Sequence, residues 1–344
     1  MTRTRICLIV AAAAAAALAV IAFFAPRDAA GGWLLALNYV GAFPIGSLAL
    51  LMIHRLTGGR WGEGLEPVLL PLSRIIPLLL LLVIPVLIAS PVLFSWTHNH
   101  GDEITHSVRL IYLNVPAYII RSLVALAGLS VIVFILPAAD APSAPLIAGV
   151  GLVFYGIAAT FLGLDWLLTV EAPFFSTSFG ASVAFTQLLA ALAFAAVFGP
   201  RIRAFPDLGA LMLVVTLGIT YTDFMVVLVM WYGDVPSKVF WFVERIREPW
   251  LAFAVAAFIV ASLIPIALLM FARVRASRAA LRFIGACSLT GLAIYQCWLL
   301  APAFGAAVLG TAALALVAMA ALGAAAISGG WTQRFSYRWR TAHG

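Results

Sequence analysis

The sequence predicts an all-α integral membrane protein with about ten transmembrane helices. Of its 344 residues, 65% are hydrophobic and only 10% are charged, and the mean hydropathy is +1.12. An ordinary soluble domain carries roughly 25% charged residues. A water-soluble enzyme, a disordered chain and a disulfide-rich scaffold are therefore excluded. The excess of positive charge lies in short stretches between apolar segments, which is typical of topology signals and not of a surface that binds nucleic acid.

Ten apolar segments are long enough to cross the hydrocarbon core, for which a helix needs ~20 residues. They lie at about 6–25, 33–53, 68–90, 113–136, 146–168, 178–199, 208–231, 250–271, 282–300 and 303–327. The first is longer than the ~7–15-residue apolar region of a signal peptide, which favours a retained anchor. Four prolines, beginning with Pro71, predict a kinked third segment. The last two segments are separated only by Ala301-Pro302-Ala303, which predicts a tight helical hairpin.

The distribution of arginine predicts the orientation of the chain in a bacterial cytoplasmic (inner) membrane. With the N-terminus inside, most of the 20 basic residues fall in inner loops and tails, which is the positive-inside pattern. Both termini are then cytoplasmic, and 328–344 forms a cytoplasmic tail of a single polytopic domain, 1–344. The long polar segments 91–112 and 232–249 are expected on the periplasmic side. They are either docking surfaces for an external partner or simply solvated loops.

Four ionisable residues lie within the predicted spans or at their ends, and such groups are functional-site hypotheses by default because they are costly at membrane depth. They are Arg121, Asp165, Glu171 and Asp223. The polar side chains expected to support them are Asn114, Tyr118, Tyr155 and His98. One interpretation is a structural ion pair between Arg121 and Asp165. The other is a proton relay or quinone-proximal site, which Asp223 favours because its own span holds no basic partner.

The sequence gives no sign of a catalytic motif or of a cofactor held by this chain itself. A membrane haem with two axial histidines needs both at suitable depth, and the histidines here lie at a helix end, in a loop or in a tail. The loop residues His98, His100, Asp102 and His106 could bind a metal, but a solvated loop is the favoured interpretation. No catalytic residue and no metal ligand is therefore assigned.

Three stretches, the third of them in two parts, carry a pattern that is specific when taken together. Residues 94–121 hold W-T-H followed by Y-L-N-V-P and an arginine, and residues 151–177 hold D-W-L-L-T-V-E and later S-T. Residues 207–209 read D-L-G and residues 231–236 read W-Y-G-D-V-P. In this order they resemble the F subunit of bacterial alternative complex III, the ActF family, which is related to the NrfD- and PsrC-type membrane subunits of quinone oxidoreductases.

The resemblance implies a ten-helix fold with two inner four-helix bundles plus peripheral helices. It also implies assembly with an NrfD-like paralogue, an iron–sulfur subunit and haem c subunits, with quinol held by the paralogue and proton conduction assigned to the F subunit. Arg121, Asp165 and Glu171 fall on matching motif positions. The implied function is that of an integral membrane subunit of a respiratory quinol:electron acceptor oxidoreductase, itself non-catalytic or quinone-proximal.

Two other function classes remain open from the residues alone. One is a stand-alone proton-coupled secondary transporter that uses Asp165 and Asp223. Such transporters commonly consist of two related halves, and no internal repeat is evident in the sequence. The other is a membrane transferase acting on lipid-linked substrates, for which the acidic pair Asp102-Glu103 in the outer loop is the candidate.

Overall fold

A computed structural model describes residues 2–98, 106–140, 142–172, 174, 176–199, 205–233 and 236–330. Within these ranges the chain is helical without any strand, and ten helices are long and apolar enough to cross a membrane, which confirms the predicted fold class. We number them spans 1 to 10. Their bounds are Arg3–Phe24, Pro26–Thr57, Arg60–Ile88, Val115–Ala138, Ala144–Glu171, Phe179–Phe198, Pro206–Gly233, Trp250–Leu269, Arg278–Phe304 and Val308–Ser328.

Several residues singled out in the sequence fall outside the described ranges. These are His100, Asp102, Glu103 and the tail from 331 onward. His106 lies in the short helix His106–Ile111, and its side chain is not described.

The helix ends follow from local chemistry. Span 4 begins after Asn114, whose side chain accepts a hydrogen bond from the backbone N–H of Ala117 at 2.8 Å, as an N-cap residue does. The predicted boundary at 301–303 is wrong, because span 9 continues to Phe304. The chain turns at Gly305, whose φ of 93° suits glycine and ends the helix. Span 10 then packs mainly against spans 1 and 2, so the last two spans do not form a tightly packed hairpin.

Span 3 is interrupted, as its prolines predict. It consists of the helices Arg60–Ser73, Ile76–Leu82 and Ile84–Ile88, and the short helix Ser90–Leu93 follows it. Each break ends two residues before a proline, at Pro77, Pro85 and Pro91. Proline lacks the N–H that continues a helix and restricts the residue before it, which accounts for these positions.

The central eight spans form two rings of four helices. In the first ring, spans 2 to 5 contact one another in order and span 5 returns to span 2; spans 6 to 9 form the second ring in the same way. Span 6 packs against spans 2 and 5, and span 9 packs against span 2. Exchanging the rings therefore leaves these main contacts unchanged, although span 6 also touches span 3. Spans 1 and 10 lie outside against span 2, so the two bundles and their peripheral helices are present.

Small residues allow the two rings to approach closely. A Cβ added at Gly46 of span 2 would collide with the backbone of Gln187 in span 6. Small residues at helix interfaces are a common feature of packing within membranes, because dispersion contacts between backbones replace the hydrophobic drive. Span 2 is accordingly the most buried span. On the periphery, Phe23 and Phe24 of span 1 expose their rings, as lipid-facing side chains would.

The segment 232–249 contains an element that the sequence prediction treated as loop. Pro236–Ile246 forms an amphipathic helix between spans 7 and 8, which we call the connecting helix. Its buried face carries Trp241, whose ring stacks on Phe174 with centroids 4.4 Å apart. Polar residues on the opposite face explain why this segment reads as a loop in the sequence.

Candidate functional site

Arg121 and Asp165 join spans 4 and 5 through a bidentate ion pair. The Nε of Arg121 donates to Oδ2 of Asp165 at 2.8 Å and its Nη2 donates to Oδ1 at 3.0 Å. Arg121 also donates to the backbone carbonyl of Tyr112 at 3.0 Å, and its guanidinium lies 3.9 Å from the centroid of the Tyr112 ring. This geometry is among the strongest available to a charged pair. The two charges therefore neutralise each other at a place where the Asp165 side chain is almost completely buried.

The backbone around Asp165 departs from the α-helix. Residues Leu164–Leu168 form a π-helical turn, a conformation that often occurs at functional sites. In this turn Trp166 donates from Nε1 to the hydroxyl of Ser122 at 3.0 Å, which adds a second link between spans 4 and 5. The turn thus directs two successive side chains of span 5 toward span 4.

Glu171 forms the second buried ion pair, with Arg245 of the connecting helix. The Arg245 side chain is only 1% exposed and also donates to the carbonyls of Trp241 at 3.0 Å and Leu299 at 2.7 Å. Burial lowers the pKa of the Arg245 guanidinium, and the neighbouring Glu171 carboxylate opposes that shift. The pair therefore fastens the end of span 5 to the connecting helix and to span 9.

Asp223 in span 7 is held by hydroxyl groups instead of a cation. Its Oδ1 accepts a hydrogen bond from Ser182 of span 6 at 2.7 Å and another from Tyr295 of span 9 at 3.3 Å. Among the described residues it takes part in no salt bridge. Asp223 therefore lies in the second ring, separate from the ion pair that joins Arg121 and Asp165 in the first.

A small polar cavity of about 30 Å³ lies next to Ser182, where the two rings meet. Its polar lining consists of Asn38, Ser182, Thr186, Gln187, Tyr295 and Gln296. The Oε1 atoms of Gln187 and Gln296 are buried with no hydrogen-bond partner among the described residues. Buried acceptors are rarely left unpaired, and a cavity of this size holds about two water molecules. The lining thus suits a short hydrogen-bonded chain of water.

The predicted supporting residues do not converge on one site. Asn114 caps span 4, and Tyr118 is fully buried with its ring centroid 5.0 Å from that of Phe94. Tyr155 donates to the carbonyl of Ala184 at 3.3 Å and so joins spans 5 and 6. His98 is exposed, with its Nδ1 2.9 Å from the hydroxyl of Thr97. No group of three or more metal-ligating side chains occurs in the part of the chain that the structure describes.

Sequence reasoning missed several residues that complete these clusters. Arg245 was read as one charge of a polar loop, although it is the buried partner of Glu171. The residues Ser182, Gln187, Tyr295 and Gln296 were not singled out, although each lies in an apolar span. Because polar side chains inside spans face the bundle interior, their presence alone was a usable signal.

Comparison with known proteins does not place the chain in a family. No family model matches it, and a search of curated proteins finds no matching sequence. The functional inference therefore depends on the two ion pairs, on Asp223 with its hydroxyl partners, and on the polar cavity between the rings.

Proposed function

We propose that this chain is an integral membrane subunit of a respiratory quinol:electron acceptor oxidoreductase of the alternative complex III type, and that it conducts protons. The observation that carries the proposal is Asp223, a carboxylate without a described cationic partner that is hydrogen-bonded to the rim of a polar cavity. Carboxylates placed this way within membranes commonly relay protons.

The proposed route runs from Asp223 through Ser182 into the cavity. The Ser182 hydroxyl donates to Asp223 and also lines the cavity, and a hydroxyl can donate one hydrogen bond while accepting others. Gln296 and Asn38 extend the polar lining to spans 9 and 2. A proton held on Asp223 would therefore reach, through Ser182, the polar side chains that line the contact between the two rings.

The two ion pairs have a structural role in this proposal. Asp165 is already neutralised by Arg121, and Glu171 is neutralised by Arg245. Moving a proton onto either carboxylate would leave a buried arginine without its counter-charge, which is strongly unfavourable. We therefore assign proton transfer to Asp223. The two ion pairs instead hold spans 4, 5 and 9 in position.

The resemblance to the ActF family supports the respiratory assignment. The two rings of four helices agree with the arrangement that the resemblance implies, and Arg121, Asp165 and Glu171 occupy matching motif positions. The proposal includes haem c and iron–sulfur clusters in partner subunits, quinol on an NrfD-like paralogue, and membrane lipid around the spans. We also propose that the chain lies in the bacterial inner membrane with both termini in the cytoplasm. The outer segments 91–112 and 232–249 would then face the partner subunits.

The test is purification of the tagged chain from its native membrane in a mild detergent. We expect haem c absorbance in the purified material, together with iron–sulfur and NrfD-like subunits identified by mass spectrometry. A colourless chain that purifies alone, although the solubilised membranes retain their haem c proteins, would contradict the respiratory assignment.

A stand-alone proton-coupled transporter is the second candidate, and one observation favours it. The main contacts between spans are unchanged when the two rings are exchanged, and transporters are often built from two equivalent halves. Proton flux into liposomes that contain only this chain, driven by a substrate gradient and lost in Asp223→Asn, would support this candidate over the respiratory subunit.

A further inference from the structure

A second and much larger cavity, of about 500 Å³, lies between spans 7 and 8. Span 7 packs against the later part of span 8, from Phe258 onward, and against Ala272–Arg275, so the two spans separate toward Trp250. The connecting helix covers the gap with Phe242 and Ile246. The result is a chamber that opens sideways between the two spans and is much larger than the small polar cavity.

Beside aliphatic residues of spans 7, 8 and 9, five aromatic side chains line the wall of this chamber. They are Phe224, Phe242, Phe258, Tyr295 and Trp298. Phe224 and Phe258 are 58% and 52% exposed, so their rings mark the opening between spans 7 and 8. Because that opening lies between two membrane spans, a ligand can enter it from the surrounding lipid.

Among the described residues that line the chamber, only Asp223 carries a formal charge. Both of its described hydrogen bonds end on Oδ1, so Oδ2 remains available to a ligand. Three of the donor groups in the wall are already engaged: Tyr295 donates to Asp223, Trp298 to the Arg245 carbonyl at 3.2 Å, and Thr220 to the Thr216 carbonyl at 2.9 Å. The hydroxyl of Ser262 also lines the chamber. The described lining of the chamber thus combines one carboxylate with five aromatic side chains.

We propose that this chamber binds a lipophilic organic monocation, with its charged centre beside Asp223 and its apolar groups against the aromatic wall. A cation is attracted both to the carboxylate and to aromatic rings within about 6 Å, and the second attraction increases away from water. An acyl chain would fill the volume without using the charge. The proposal goes beyond proton conduction, because it gives the same carboxylate a ligand.

Binding of tetraphenylphosphonium to the purified full-length chain in nanodiscs provides the test. Its charge does not depend on pH, and triphenylphosphine oxide is a neutral compound of similar aromatic character. We expect saturable binding near one equivalent per chain, with no competition from the neutral compound. Asp223→Asn should weaken the affinity by about tenfold or more, whereas the exposed Glu244→Gln, which makes the same chemical change, should leave it within about twofold.

A second pair of variants keeps the test decisive if Asp223→Asn fails to fold. Ala254→Trp places an indole in the chamber and should abolish binding, and Phe258→Leu should weaken it about threefold, while both retain Asp223. Size-exclusion profiles and melting temperatures establish folding for each variant. Equal binding of the neutral compound, displacement by a neutral hydroquinone at similar concentration, or unchanged binding in Ala254→Trp would each overturn the proposal.

Discussion

Arg245 and Glu171, separated by 74 positions in the sequence, form a buried ion pair that closes the end of span 5 against the connecting helix. Arg245 is the more deeply buried partner and also donates to two backbone carbonyls. Its position depends on Glu171 because an arginine remains charged at any ordinary pH. The loss of one partner should therefore affect the structure more than the loss of an exposed pair.

Glu171→Gln should lower the free energy of unfolding by about 1–3 kcal/mol, because Arg245 would stay buried without a counter-charge. The measurement is thermal unfolding of the purified chain in detergent. Glu244→Gln is the matched control, since Glu244 pairs with Arg247 on the surface, and its effect should be within about 0.5 kcal/mol. Equal effects of the two variants would contradict the role given to the buried pair.

Arg121→Ala should reduce the yield of folded protein, because it leaves Asp165 buried and unpaired. Removal of one partner from a buried ion pair typically costs about 3–5 kcal/mol. The double variant Arg121→Leu with Asp165→Leu should recover much of that loss, since both charges are then absent. Membrane abundance and melting temperature report the outcome, and wild-type values for Arg121→Ala alone would refute the pairing.

Asp223→Asn should leave assembly intact while reducing proton transfer by about tenfold or more, since an amide cannot take up the proton. Ser182→Ala should reduce it as well, because it removes the donor that links Asp223 to the polar cavity. The measurement is the number of protons moved per quinol oxidised by the reconstituted complex. Asp165→Asn is the contrasting variant and should impair assembly. An unchanged proton stoichiometry in Asp223→Asn would remove this residue from the route.

Gly46→Ala should destabilise the chain by about 1–3 kcal/mol, because the new Cβ would meet the backbone of Gln187 and force spans 2 and 6 apart. Gly149→Ala serves as control, since its Cβ would enter open space in span 5. There alanine should be neutral or slightly stabilising, as it is in a helix interior generally. Thermal unfolding of both variants is the measurement, and equal melting temperatures would exclude a close approach of Gly46 to the backbone of Gln187.

The sequence predicts the spans well because hydropathy along the chain reports them directly. It also points to the ion pair of Arg121 with Asp165, since two opposite charges in neighbouring spans seldom remain apart in a membrane. The partners of Asp223 are harder to predict. Ser182 and Tyr295 lie 41 and 72 positions away, and only the closure of the second ring brings them together.

Arg245 shows a different limit of prediction. An amphipathic helix between two spans has the same composition whether its apolar face covers protein or contacts lipid. The burial of Arg245 follows from the stacking of Trp241 on Phe174 and from the carbonyl acceptor that Leu299 provides in span 9. No local pattern carries that information, because it depends on three segments distant in sequence.

Each ring contains an even number of membrane crossings, and this has a consequence for how such a chain can arise. After four crossings the polypeptide returns to the side from which it started, so the second ring enters the bilayer in the same direction as the first. Tandem duplication of a gene for one four-helix unit can therefore produce this architecture without inverting either copy. Both copies would keep the same arginine bias, and neither would have to evolve a new insertion signal.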